Sequence, residues 1–91
     1  MRQISMHVVE LMWTYHVTFL EGNRQVGKKL TFQTDDKLYE ILRRCHNPIE
    51  DHNHLERMLV ERRPGQIKLR MTDEQYFKLF QSERKHKPRG G

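Results

Sequence analysis

Cysteine is nearly absent from this chain. Cys45 is the only one among 91 residues, which excludes an internal disulfide framework and fits a reducing, cytoplasmic setting. No apolar run approaches the roughly 18 residues of a transmembrane helix. The N-terminus has no basic stretch leading into an apolar segment of about 7–15 residues, so a secretory signal is not expected. A Gly-rich phosphate loop and a Ser or Cys nucleophile motif are also missing. The paired carboxylates Asp35/Asp36 and Asp73/Glu74 stand where helices would begin, and capping accounts for them. Cys45, His46, His52 and His54 are close in sequence, but His52 and His54 are two apart on a helix. They point about 200° away from each other and cannot share an ion. The expectation is a protein that is not an enzyme, binds no metal and no cofactor, and does not enter a membrane.

What is present is charge and pattern. Seventeen Lys+Arg against twelve Asp+Glu give a formal net charge of +5, with 35% hydrophobic and 32% charged residues. This is polar for a folded chain, yet its apolar residues are strongly ordered along the sequence, which separates it from a disordered composition. The length suits one small domain, able to bury about 60–65% of its unfolded surface.

Residues 7–33 carry the clearest signal. Val9, Leu11, Trp13, Tyr15, Val17 and Phe19 occupy odd positions, while His7, Glu10, Thr14, His16 and Thr18 fall between them. A period of two over this length predicts one long half-buried strand. Gly22-Asn23 then supplies a two-residue hairpin loop. The resulting register sets Glu21 against Arg24, Phe19 against Val26, Tyr15 against Leu30 and Trp13 against Phe32, with the apolar pairs on one face. Thr14, His16, Thr18, Lys29, Thr31 and Gln33 fall on the other.

Helical signals follow. Thr34-Asp35-Asp36 opens a helix whose stripe is Leu38, Ile41, Leu42 and Cys45. Asn47-Pro48-Ile49-Glu50 reads as N-cap, Pro at N1 and Glu at N3 of a second helix, with Ile49, His52, Leu55, Met58 and Leu59 on its apolar side. Ile67, Leu69 and Met71 alternate with Lys68 and Arg70 in a further strand. Thr72-Asp73-Glu74-Gln75 is a capping box before Tyr76, Phe77, Leu79 and Phe80. The expected fold class is α+β in the order β-β-α-α-β-α: a three-stranded sheet with a long N-terminal hairpin and helices packed on one face. Residues 1–81 would form this domain, and residues 82–91 a flexible basic tail.

Residues 28–63 resemble the ribbon-helix-helix DNA-binding family. Lys28-Lys29-Leu30-Thr31-Phe32-Gln33 is similar to its ribbon, Thr34 to His46 to its first helix, and Pro48 to Arg63 to its second. The resemblance implies that Lys29, Thr31 and Gln33 face base edges, and that phosphate meets the second helix near Asn47 and Ile49.

The charge is uneven. Residues 66–91 carry seven Lys+Arg against three Asp+Glu. The expected function is nucleic-acid binding, DNA or RNA, through a basic sheet face and the tail. Lys29, Lys68, Arg70, Arg84, Lys85, Lys87 and Arg89 would meet phosphates, and Thr31 and Gln33 would read bases. The alternative is a small adaptor or inhibitor, of the kind encoded by phages and mobile elements, that binds a host protein or nucleoprotein complex. An open sheet edge would also suit a homodimer. Trp13, Tyr15 and Phe19 are expected beneath the helices rather than on a stacking platform, because the helices need one apolar sheet face to cover.

Overall fold

The structure is a computed structural model that describes residues 1–80. The basic tail expected at residues 82–91, with Arg84, Lys85, Lys87 and Arg89, lies outside the described residues. The chain runs β1 (Arg2–Leu11), β2 (Thr14–Glu21), β3 (Arg24–Gln25), β4 (Leu30–Phe32), α1 (Asp36–Arg44), α2 (Ile49–Glu61), β5 (Gly65–Met71) and α3 (Asp73–Phe80). The α+β class is as expected, but the sheet has five strands, not three. β1 pairs with β2 and β5, while β2 pairs on its other side with β3 and β4, all antiparallel.

The long first strand of the sequence reading is in fact two strands. Met12 (φ 52°) and Trp13 (φ 65°) reverse the chain, and β1 folds back on β2 with Met6 opposite Phe19 and Val8 opposite Val17. Positive φ at both central residues is the geometry of a type I′ turn, which Asn-Gly or Asp-Gly normally supplies. The turn changes which parity faces inward. In β1 the buried residues are Ile4, Met6 and Val8; in β2 they are Val17 and Phe19. Val9 and Leu11, expected beneath the helices, are exposed.

The Gly22-Asn23 hairpin forms as its residue types dictate. Gly22 takes φ 65°, Glu21 pairs with Arg24, and the Val26 N–H donates to the Phe19 carbonyl at 2.9 Å. Beyond it the expected register slips by two residues: Tyr15 meets Phe32 and Val17 meets Leu30. The slack lies at Gly27, which takes φ 69°. Because the slip is even, Thr31 keeps its face.

Both helices of the central pair end on left-handed residues that are not glycine, His46 (φ 54°) and Arg62 (φ 55°). In each the chain closes with a bond spanning five residues, Asn47 N–H to the Leu42 carbonyl at 3.1 Å and Arg63 N–H to the Met58 carbonyl at 3.1 Å. These are Schellman closures. The α3 capping box forms fully: the Gln75 N–H donates to Thr72 Oγ1 at 3.1 Å and the Thr72 N–H to Gln75 Oε1 at 2.8 Å. The cap expected at Asn47 does not form. Pro48 holds the N-cap position, and Asn47 Nδ2 instead donates to Asp51 Oδ2 at 2.7 Å and to the Lys68 carbonyl at 3.0 Å. That ties the α1–α2 connection to β5.

All three helices lie on one side of the sheet. Leu38, Ile41, Leu42, Leu55, Met58 and Tyr76 join Ile4, Met6, Val8, Val17, Phe19, Ile67, Leu69 and Met71 in one core. Phe80 carries α3 onto the hairpin, with its ring 4.9 Å from Phe19 edge-on and close over Gly27. A Cβ at Gly27 would lie 2.9 Å from Phe80 Cδ1, whereas one at Gly22 would meet nothing within 4 Å. Both positions need a left-handed backbone, but only one also needs the space. Gly22→Ala is expected to cost about 1 kcal/mol and Gly27→Ala about 2–3 kcal/mol, as strain and overpacking add. Equal shifts of the urea midpoint would contradict this account of Gly27.

Candidate nucleic-acid interface

Strand alternation assigns each side chain to one face of the sheet. With Ile4, Met6, Val8, Val17, Phe19, Ile67, Leu69 and Met71 turned to the helices, the opposite face is uncovered. It carries Gln3, Ser5, His7, Val9 and Leu11 from β1, and Thr14, His16, Thr18 and Leu20 from β2. Gln25 comes from β3, Thr31 from β4, and Gln66, Lys68 and Arg70 from β5.

No carboxylate stands on this open face among the described residues. Glu10 and Glu21 have the inward parity of their strands, and every other described acid belongs to a helix or its entry. Two of the acids are occupied on the helix side by one cation. The Arg2 guanidinium donates to both oxygens of Glu21 at 3.0 and 3.1 Å and to Asp73 Oδ1 at 2.9 Å, and lies 4.0 Å above the Tyr76 ring. Sidedness of charge is thus built into the strands: the described acids all lie on the helix side, interspersed with Lys and Arg, and the open side is neutral to basic.

The expected contact residues share this surface but do not converge. Lys68 lies across from Ser5 and Arg70 across from Gln3, on the β5 edge. Thr31 lies across from His16 on the β4 edge. Lys29 immediately precedes β4 and Gln33 immediately follows it, both exposed. Between the two edges are β2 and β1, so the sets are about 14 Å apart across the sheet. They are also offset along it, by the distance from His16 to Leu20, about 13 Å. Lys68 and Arg70 in addition rim a cleft of about 290 Å³ that includes His46, Asn47, Pro48 and Asp51. Glu50 and Asp51 already place negative charge in the first turn of α2, where the helix dipole favours an anion.

The residues missed by sequence reasoning are those at the β1–β2 turn. Val9 is 42% exposed, Leu11 58%, Met12 85% and Trp13 71%. Trp13 was expected in the core beside Phe19. Instead it stands at the tip, its backbone N–H donating to Glu10 Oε2 at 3.0 Å and its ring 4.1 Å from the Arg62 guanidinium. Tyr15 is half-buried against the core, and burial, with Asp35 and Glu10 nearby, raises its hydroxyl pKa. A signal was present: Val8-Val9 and Leu11-Met12-Trp13 break strict alternation. Neither Met nor Trp is a turn former, so the break carried no turn chemistry.

His52 stacks on Tyr39 with ring centroids 6.2 Å apart. No group of three or more His, Cys, Asp and Glu side chains gathers around a common point among the described residues. Family models, curated proteins and solved structures yield no match to this chain.

Cys45 is buried at the end of the α1 stripe. Desolvation raises its thiol pKa above the ordinary value, with Arg44 opposing weakly. The folded state therefore keeps the proton where the unfolded state loses it. This contribution to stability is intact below the ordinary thiol range and is lost as pH rises through it towards the folded value. Iodoacetamide at neutral pH is expected to label Cys45 only after denaturation; rapid labelling of the folded protein would contradict its burial.

Proposed function

We propose that this protein binds nucleic acid through the open face of its sheet and does no chemistry on it. The observation that carries the reading is that no carboxylate among the described residues stands on that face, set against Lys68 and Arg70 at one edge and Lys29 at the other. A polyanion approaching this face meets cations and neutral hydrogen-bonding groups, with the nearest described acid, Asp51, set back in the cleft beyond the β5 edge. Thr31, Gln33, Gln3, Ser5, Thr18 and the two histidines, His7 and His16, offer donors and acceptors between the charged edges. Spread rather than convergent cations suit a backbone that runs across a surface, not a small anion held at a point. Arg84, Lys85, Lys87 and Arg89 would add further phosphate contacts and counterion release.

Asn47 occupies the Lys68 carbonyl on the outer edge of β5, where a second copy or a partner strand would have to pair. Lys68 and Arg70 on that strand are also the kind of charge that discourages edge pairing. The open face, rather than the sheet edge, is therefore the surface on which the reading rests. The alternative, an adaptor or inhibitor of a host protein, differs in one measurable respect. A nuclease-treated pull-down at about 0.5 M salt would retain a protein partner and shed one held by charge alone.

Replacing both Lys68 and Arg70 with Glu is expected to weaken binding to DNA or RNA by at least about tenfold. It should also reduce the slope of log Kd against log salt by about 2. Lys78→Glu, on the helix side and 3.8 Å from Glu74, changes net charge without changing the open face, and should leave both nearly unaltered. Lys78→Glu changes net charge half as much as the double replacement, so a loss from it half as large on a logarithmic scale would mean that net charge, and not this face, governs binding.

A further inference from the structure

The β1–β2 turn poses a physical problem that the basic face alone does not resolve. Met12 and Trp13 both hold left-handed backbone, at φ 52° and 65°, a conformation that costs a bulky L-residue roughly 1–2 kcal/mol. Asn-Gly would make the same turn without strain. The chain instead carries its single tryptophan and a methionine there, and leaves both largely in solvent. Strained backbone at an exposed site marks side chains that are held in place for what they meet.

What they meet can be read from their surroundings. The Arg62 guanidinium covers one face of the indole at 4.1 Å, and Arg62 is itself fixed in a left-handed conformation at the end of α2. With the ring still mostly exposed, its other face is free. The guanidinium limits how the ring can turn, while the Trp13 backbone N–H, bonded to Glu10 Oε2, helps to hold the turn itself. Val9 and Leu11 continue the apolar surface from Trp13 onto the open, carboxylate-free face, in line with His16 and Thr14. A flat, exposed aromatic ring braced by a cation, at the end of a surface that attracts phosphate, fits a nucleobase.

We infer that the β1–β2 turn is a base-stacking site in which Trp13, braced by Arg62, receives an unpaired base of a single-stranded nucleic acid whose backbone lies along the open sheet face. The inference rests on the nucleic-acid reading above and narrows its ligand from any polyanion to a strand with splayed bases. From the Gln3 row to the Leu11 row the face runs about 26 Å, so one strand can touch both Arg70 and Trp13. Bases stacked inside a duplex cannot reach the ring.

The test uses the full chain, its single tryptophan and two probes: a short single-stranded oligothymidylate and a DNA duplex of the same length. The single strand is expected to quench Trp13 emission, and the duplex to leave it unchanged. Trp13→Asn removes the ring while placing a residue better suited to left-handed backbone, so the turn is kept. By anisotropy of a labelled strand, this variant should bind single strands roughly tenfold more weakly and duplex as before. If the wild type binds single strands with no change in emission and Trp13→Asn binds them equally well, the stacking site is wrong and the basic-face reading stands. If neither probe binds at about 50 mM salt, both fall.

Discussion

The reversal at Met12-Trp13 is the constraint on which the rest of the architecture depends. Without it, Val9, Leu11 and Trp13 would continue the apolar face of β2, and residues 2–8 would not lie beside β2. With it, β1 lies between β2 and β5 and brings Ile4, Met6 and Val8 to the centre of the core. The same turn sends Val9 and Leu11 to the opposite face. One pair of positive φ angles therefore decides both what the helices cover and what the sheet offers to solvent.

Size explains why only one face is covered. The described residues, 1–80, supply three helices, the longest of 13 residues, and these suffice for one side of a five-stranded sheet. The helices also take the carboxylates, because Asp and Glu are favoured in their first turns; Asp36, Glu50, Asp51, Asp73 and Glu74 all stand there. Capping chemistry on one side thus leaves the other side free of acid among the described residues. The polarity of the molecule follows from helix physics together with strand alternation.

The ends of the sheet are closed by specific contacts. Arg2 at the start of β1 joins Glu21 at the end of β2 to Asp73 at the start of α3. Phe80 at the other end of α3 packs against Phe19 over the bare backbone of Gly27. Asn47 fastens the α1–α2 connection to β5. Each is a long-range tie made by a residue whose local role alone would not have revealed its partner.

Local rules determined a good deal of this protein. The Gly22-Asn23 turn and its closing pair, the α1 stripe, the Thr72–Gln75 capping box, the alternation of β5 and the one-sided packing of helices each depend on residues within a few positions of one another. Period and cap type express that directly. Thr31, Lys68 and Arg70 were placed on the open face for the same reason. The tertiary structure alone decided the turn at Met12-Trp13, the two-residue slip at Gly27 and the exposure of Trp13. A type I′ turn built from Met and Trp is locally unfavourable, and it forms because pairing β1 with both β2 and β5 and burying Ile4, Met6 and Val8 outweigh its strain. That balance is between residues far apart in the chain, which no short window of sequence contains.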